Sequence, residues 1–378
     1  MMAGRTVAVV LFLFINCLFI YKYGGRVLSH PEWICLIYIL LNVAILKFGR
    51  SWPRIRSNWV VMGAVAWILL VTVGVHITVP LSSLNVDRWS VIASFWDALA
   101  AGDYPYFARS HMGNPPGPMP IYFVLAAPFY AIGWQELLAA LGYVSAVAWM
   151  GRSPQGGTLP IWLLLASPFM YWEIAVRSNI FSYSMLVLAA LQCFLVKQTP
   201  SRAIMVGLAL STRSVFALAY VVYYLRIWRQ PTVETPKFFR LSVISAGAFF
   251  FSFLPLLMIW PQEFQIMNPF VVQGSFLVPP LVIGVFFLGA VMASYRFLEM
   301  HAALLSGLLL FGVILVYGIY HVVDLGWGAA YLESKVDISY FLFCVPFLGY
   351  YFIASTNDRA SAVRSVPRTT AASGNSAA

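Results

Sequence analysis

Charge is what this sequence has least of. Only 10% of its 378 residues are Asp, Glu, Lys or Arg, against about 25% in a soluble globular domain. With 61% hydrophobic residues and a mean hydropathy of +0.82, that scarcity excludes a soluble fold and points to an integral membrane protein with many spans. Cysteine is rare, and Cys17, Cys35, Cys193 and Cys344 all lie inside apolar segments. Buried thiols fit that placement, and neither a disulfide framework nor a metal-ligand spacing is present. The sequence also lacks a P-loop, a dinucleotide fingerprint, an HExxH and a Ser/His/Asp signature. A net charge of +10 does not argue for nucleic acid, because the basic residues sit in short loops and the tail, the usual positive-inside pattern.

Apolar runs are what the sequence has in abundance. They predict about ten helical spans, over Thr6–Tyr21, Glu32–Leu46, Trp59–Val79, Gln135–Met150, Thr158–Tyr171, Ile180–Val196, Leu241–Trp260, Leu277–Ser294, Ala302–Tyr320 and Ile338–Ala354. Helix is the expectation because each backbone group in lipid must be satisfied within its own segment. No small-x-small cleavage site follows the first run, so it is taken as a retained span. Trp and Tyr collect at the ends of the runs, where their rings prefer the headgroup level. The expected fold is an all-α, polytopic transmembrane bundle over residues 1–354. The Ser/Ala/Arg-rich segment 355–378 is expected to be a disordered cytoplasmic tail.

Loop charges set an orientation. Lys47, Arg50, Arg54 and Arg56 crowd one short loop, which places it, and both termini, in the cytoplasm of a plasma (inner) membrane protein. The clusters Lys197/Arg202, Arg226/Arg229/Lys237/Arg240 and Arg359/Arg364/Arg368 share that side, while Asp324, Glu333 and Asp337 fall outside. For this parity to hold, Met119–Ile132 must be a re-entrant or half-depth element, and Ala203–Leu225 a shallow hairpin with Arg213 at its outward tip. Backbone of that kind is tolerated at depth where it lines a cavity or packs on protein.

The longest polar interruption, Val86 to Pro128, holds most of the candidate chemistry, in an outer loop spanning residues 81–118. Asp87 follows a span directly, and a carboxylate there can act as general base toward an acceptor hydroxyl. Its plainer role is a solvated acid paired with Arg88. From Ser90 to Ala101, Val91, Ile92, Phe95, Trp96 and Leu99 recur at helical spacing, which predicts an interfacial helix ended by Gly102. Asp103, Tyr104, Tyr106, His111 and Asn114 offer the mixture of planar hydrogen-bonding groups and aromatic faces that sugars bind. Gly-Asp and Asn-Pro-Pro-Gly-Pro are equally strong turn signals. Arg177, Arg213 and Lys335 are outer-face cations that run against the usual bias. Binding the phosphate of a lipid-linked donor is one reason for them, and pairing with Glu173, Glu263 or Asp337 is the other. His321 and Asp324 can join the site from the last outer loop, whereas Glu299 and His301 sit at a cytoplasmic end.

Four segments carry a resemblance to the GT-C-type membrane glycosyltransferases, in particular the bacterial polyprenyl-phosphate-sugar-dependent mannosyltransferase-like group. They are Asp87 followed by FWDALAAGDYPY, the loop exit GNPPGPMPIYFVLAAPFYAIG, the stretch SPFMYWEIAVRSNIFSYSMLVLAA, and GLALSTRSVFALAYVVYYLR. The resemblance implies transfer of a hexose from a polyprenyl phosphate to a hydroxyl of a glycan or lipid acceptor on the outer face. Asp87 would be the base. Arg177 and Arg213, with Arg88 and Lys335, would steady the departing phosphate, and Asn179 and His321 would join the substrate groups. Two departures stand out. Arg177-Ser178 occupies the place where the family commonly has Gly-Gln, and the loop has no Asp-x-Asp motif, so a divalent metal stays open and no cofactor is assigned. The competing classes are a transporter or flippase of lipid-linked saccharide and a non-catalytic membrane assembly protein. A transporter would show paired hydropathy repeats, which this sequence does not.

Overall fold

The computed structural model describes residues 2–48, 57–152, 158–231, 233–276, 279–297, 300–333 and 336–364. Among them every regular element is helical. In chain order they are α1 (Met2–Phe19), continued by a π-helical turn at Ile20–Gly24, α2 (Pro31–Phe48), α3 (Ser57–Thr78), α4 (Arg88–Ala101), α5 (Pro120–Ala131), α6 (Glu136–Arg152), α7 (Leu159–Leu165), α8 (Pro168–Ala175) and α9 (Ile180–Val196). Then follow α10 (Pro200–Leu210), α11 (Ala217–Trp228), α12 (Thr235–Phe251), α13 (Leu254–Ile259), α14 (Pro261–Ile266), α15 (Pro269–Phe276), α16 (Pro280–Arg296) and α17 (Ala302–Leu325). A second π-helical turn (Gly328–Leu332), a 3-10 turn (Ile338–Phe343) and α18 (Val345–Arg364) complete the described chain.

Among the described residues five helices, within Ala3–Gly24, Pro31–Phe48, Asn58–Thr78, Ala302–Leu325 and Ile338–Ser355, are long and apolar enough to cross a membrane, and counting two bent pairs raises this to as many as seven. The sequence reading of ten spans exceeds that count because proline divides several apolar runs. Proline lacks the amide hydrogen and disfavours helix in the residue before it, so it starts helices and ends their predecessors. The Thr158–Tyr171 run is cut into α7 and α8 ahead of Pro168. Leu241–Trp260 is cut into α12 and α13, with Pro255 in the first turn of α13. The run expected from Leu277 becomes α16, 17 residues beginning at Pro280.

Two elements fall where irregular backbone is expected. Helix α5 has 12 residues, about 18 Å at the usual rise, too short for a hydrocarbon core of about 30 Å. It turns by 112° into α6. Helices α10 and α11 follow one another through a turn that carries Arg213, but α10 packs on α12 and α9, and α11 on α17 and α16, rather than on each other as the expected hairpin would. Helix α18 runs on to Arg364, ten residues into the segment expected to be a disordered tail, and residues 365–378 lie outside the described part.

The main core packs α3 on α6, α6 on α9, α9 on α10 and α18, and α17 on α11 and α18. Small residues let the backbones approach, as is usual where helices meet in lipid. At Gly207 a Cβ would overlap the Ser245 carbonyl oxygen of α12. A second, smaller core joins α4 to α5, with Phe95 stacked on Phe123 at 3.7 Å between centroids. Gly102, at φ 81°, closes α4 in the left-handed conformation that glycine adopts without cost.

Polar groups sort to the two ends of this bundle. At one end Arg226 donates to the carbonyls of Phe297 and Met300, and Arg5 lies over Phe352. At the other, the loop 79–118, the start of α5, the α8–α9 turn, the Arg213 turn and the residues before α18 converge.

Candidate functional site

A cleft of about 540 Å³, open to solvent, occupies that second end. Asp87, Arg88, Asn114, Arg213 and Asp337 all line it, although they come from distant parts of the chain.

Asp87 stands at the N-terminus of α4, but its side chain does not cap the helix. One carboxylate oxygen, Oδ2, accepts hydrogen bonds from Ser110 Oγ at 2.9 Å and Asn114 Nδ2 at 2.8 Å. The other oxygen has no hydrogen-bond partner among the described residues. A carboxylate held by one oxygen and open at the other is oriented without being neutralised, which is what proton abstraction from a bound hydroxyl needs.

Arg88, the next residue, turns away from Asp87. Its guanidinium pairs with Asp337 and donates to Ser339 Oγ at 3.3 Å, with Tyr340 stacked 5.1 Å away. Burial by itself would raise the Asp337 carboxyl. The Arg88 charge, the Ser339 hydroxyl and amide, and Lys22 outweigh burial and hold it below the usual carboxylate range.

Arg213 is 8% exposed and lies over the Tyr122 ring at 5.4 Å. No ion pair engages it among the described residues. A buried guanidinium without a carboxylate is costly, and an anionic ligand would offset that cost. The turn that carries it is fixed. Met119 and Ile121 donate backbone N–H to the carbonyls of Thr212 and Ser211 at 3.2 and 3.1 Å. Gln273 of α15 accepts from the Ser214 N–H at 3.0 Å and donates to the Gly117 carbonyl at 2.7 Å. The exit of the Asp87 loop and the Arg213 turn therefore form one stitched unit.

The other expected site residues divide. Asn114 reaches the cleft as a partner of Asp87. Asn179 lies behind it, accepting from Tyr122 Oη at 2.6 Å. Tyr104 and Tyr106 are buried, and their hydroxyls donate to the Met267 and Pro118 carbonyls. Burial pushes both phenols above their ordinary range. They brace the loop and do not line the cleft. His111 pins the start of α4 through Ser90 Oγ at 2.6 Å and stacks on Trp89. Asp103 is exposed beyond the cleft wall. His321 packs edge-on against Tyr317 and Tyr320, and of these three only Tyr317 lines the cleft. Lys335 lies outside the described residues, as does Glu299.

Arg177 is not part of the cleft lining. Its Nε lies 3.3 Å from Glu136 Oε2, and its Nη2 donates to the Val79 carbonyl at 2.8 Å. The fully buried Glu136 also pairs with His76, which stacks on Trp134. Arg177 takes φ 55°, a left-handed conformation rare for a side chain with a Cβ, and it ties the ends of α3, α6 and α8 together. The expected alternative of pairing with an acid holds in kind, but the acid is Glu136.

The cleft also contains residues that the sequence did not single out: Lys22, Tyr23 and Arg26 after α1, Trp172, Gln273, Tyr317 and Tyr340. Lys22 and Arg26 carried a signal, since they follow a span on the outer side of the expected topology. Gln273 is the polar break in an apolar run. Among the described residues no group of three or more His, Cys, Asp or Glu could hold a metal ion.

Fold and site together define an all-helical membrane protein with a polar, cation-rich cleft at one end. No family model, curated protein or solved structure matches the chain.

Proposed function

We propose that this chain is a membrane glycosyltransferase that moves a hexose from a polyprenyl-phosphate donor to a hydroxyl of a glycan or lipid acceptor. The observation that carries the reading is the presence, in one cleft, of a half-clamped carboxylate, Asp87, and a buried guanidinium with no carboxylate partner among the described residues, Arg213. The acceptor oxygen attacks the anomeric carbon while the bond from that carbon to the phosphate oxygen breaks. Asp87 takes the acceptor proton, and Arg213 holds the departing phosphate. A phosphate leaving group already attached to a lipid requires no nucleotide site.

Half-buried, stacked aromatic rings support sugar binding, with Tyr23 and Trp172 5.0 Å apart on the cleft wall. The opposite end of the bundle carries Arg226, Arg229 and Arg5. With the loop clusters Lys197/Arg202 and Arg226/Arg229/Lys237/Arg240, the positive-inside rule supports a reading with that end in the cytoplasm of a plasma (inner) membrane and the cleft outside. In this arrangement α4 lies along the outer membrane surface, and the shorter apolar helices complete a GT-C-like bundle of about ten spans. Arg177 is left out of the donor site.

The test is the full chain in proteoliposomes with a radiolabelled polyprenyl-phosphate hexose. A transferase releases polyprenyl phosphate only when an acceptor is present. Equilibration of intact donor between leaflets without cleavage would establish a flippase instead.

A further inference from the structure

We propose that the cleft contains a second anion site, formed by Lys22 and Arg26, which binds a phosphate or carboxylate group on the acceptor. For its link to the acceptor, the inference rests on the transferase reading.

Both cations lie on the cleft wall beside Tyr23. Lys22 Nζ is 6.0 Å and Arg26 Cζ is 5.1 Å from the same ring centroid. Lys22 is 2% exposed, where an ammonium is costly without compensation. Its Nζ donates to the Val336 carbonyl at 2.9 Å. That leaves two N–H donors without a hydrogen-bond partner among the described residues. Asp337 is nearby, but its carboxylate is engaged by Arg88 and Ser339. Glu333, at the rim, forms no ion pair among the described residues.

The backbone here is unusual in the same place. The two π-helical turns of the described chain, Ile20–Gly24 and Gly328–Leu332, meet at this wall. Tyr331 Oη donates to the Leu18 carbonyl at 2.7 Å, and Lys22 Nζ lies 5.3 Å from the Tyr331 ring. Such turns occur most often at functional sites, and this one carries Lys22 and Tyr23 into the cleft.

The arrangement separates two anion positions. Arg213 lies against Tyr122, whereas Lys22 and Arg26 lie against Tyr23, and the Arg88–Asp337 pair and Asp87 also line the cleft. A donor phosphate at Arg213 leaves the Lys22–Arg26 wall for a second charged molecule, and the Tyr23–Trp172 stack beside it provides a face for a sugar ring.

The experiment titrates geranyl phosphate calorimetrically into the full chain in phosphatidylcholine nanodiscs, with geraniol as the neutral control. Wild type should take two equivalents. Arg26→Gln, an exposed substitution, and Lys22→Met should each remove one equivalent or weaken it at least tenfold, and Arg213→Gln should remove the other. One equivalent in wild type, lost only with Arg213→Gln, would overturn the second site and leave the donor site standing. Two equivalents that survive both Arg26→Gln and Lys22→Met would also overturn it. Two equivalents, one lost with Arg26→Gln and neither with Arg213→Gln, would uphold the second site while removing the donor assignment.

Discussion

Arg88 follows Asp87 in the chain but pairs with Asp337, a residue 249 positions away. That choice frees the Asp87 carboxylate from the cation nearest to it in sequence. It also fixes the segment before α18 to the first turn of α4. A charged side chain is thus used to hold the cleft wall, and the acid beside it is left open to the cleft.

Removing this pair should loosen the wall. Arg88→Ala leaves Asp337 without its cation, and losing one partner of a buried pair costs about 3 kcal/mol, less where one side is partly exposed. With Asp337 30% exposed, a loss of about 1–3 kcal/mol is expected. Thermal unfolding in detergent monitored by tryptophan fluorescence checks it.

The same pair sets an acid limit. The Asp337 carboxyl is held below its ordinary value in the folded protein. Its contribution to stability is therefore present above the unfolded-state value and is lost as pH falls through the folded one. Melting temperature measured from pH 7 downward should fall through the carboxylate range. In Asp337→Asn the fall should be shallower, from a lower starting point.

Asn114 and Ser110 are expected to act through Asp87. Asn114→Ala or Ser110→Ala frees the clamped oxygen and lets the carboxylate rotate. On the transferase reading, kcat should drop about tenfold, one lost charge-assisted hydrogen bond, with donor KM nearly unchanged. A rise in donor KM at constant kcat would assign them to binding instead.

Arg177 should behave as a strut. Arg177→Ala leaves the fully buried Glu136 with His76 as its one remaining ion-pair partner among the described residues, and is expected to cost about 3 kcal/mol of stability while leaving donor affinity within about threefold. Arg213→Gln should do the reverse, weakening donor phosphate binding at least tenfold, about 1.4 kcal/mol, with little change in melting temperature.

Much of this architecture was legible in the chain. The scarcity of charge, the short apolar run before Ile132 and the basic clusters around Arg213 point to the membrane class, to a short helix α5 and to a turn at Arg213. The proline breaks in α7–α8 and α12–α13 do not show in hydropathy, which averages over a residue whose effect is on backbone geometry. Side-chain destinations were the least legible. Tyr104, Tyr106 and His111 have the composition of a sugar site, yet their polar atoms are consumed by nearby carbonyls and by Ser90. Arg177 was indistinguishable from Arg213 until the fold placed Glu136 beside one and no carboxylate beside the other. Lys22 and Asp337 are 315 residues apart, and nothing local in sequence joins them.

The central claim is that Asp87 removes the acceptor proton, and the most direct measurement is single-turnover transfer by Asp87→Asn with donor binding measured on the same preparation. Asparagine keeps the shape and the bonds to the loop but cannot take the proton. The account predicts donor binding within about threefold of wild type and a transfer rate lower by about 10²–10⁴. Transfer within tenfold of wild type by a folded, donor-binding variant would contradict it.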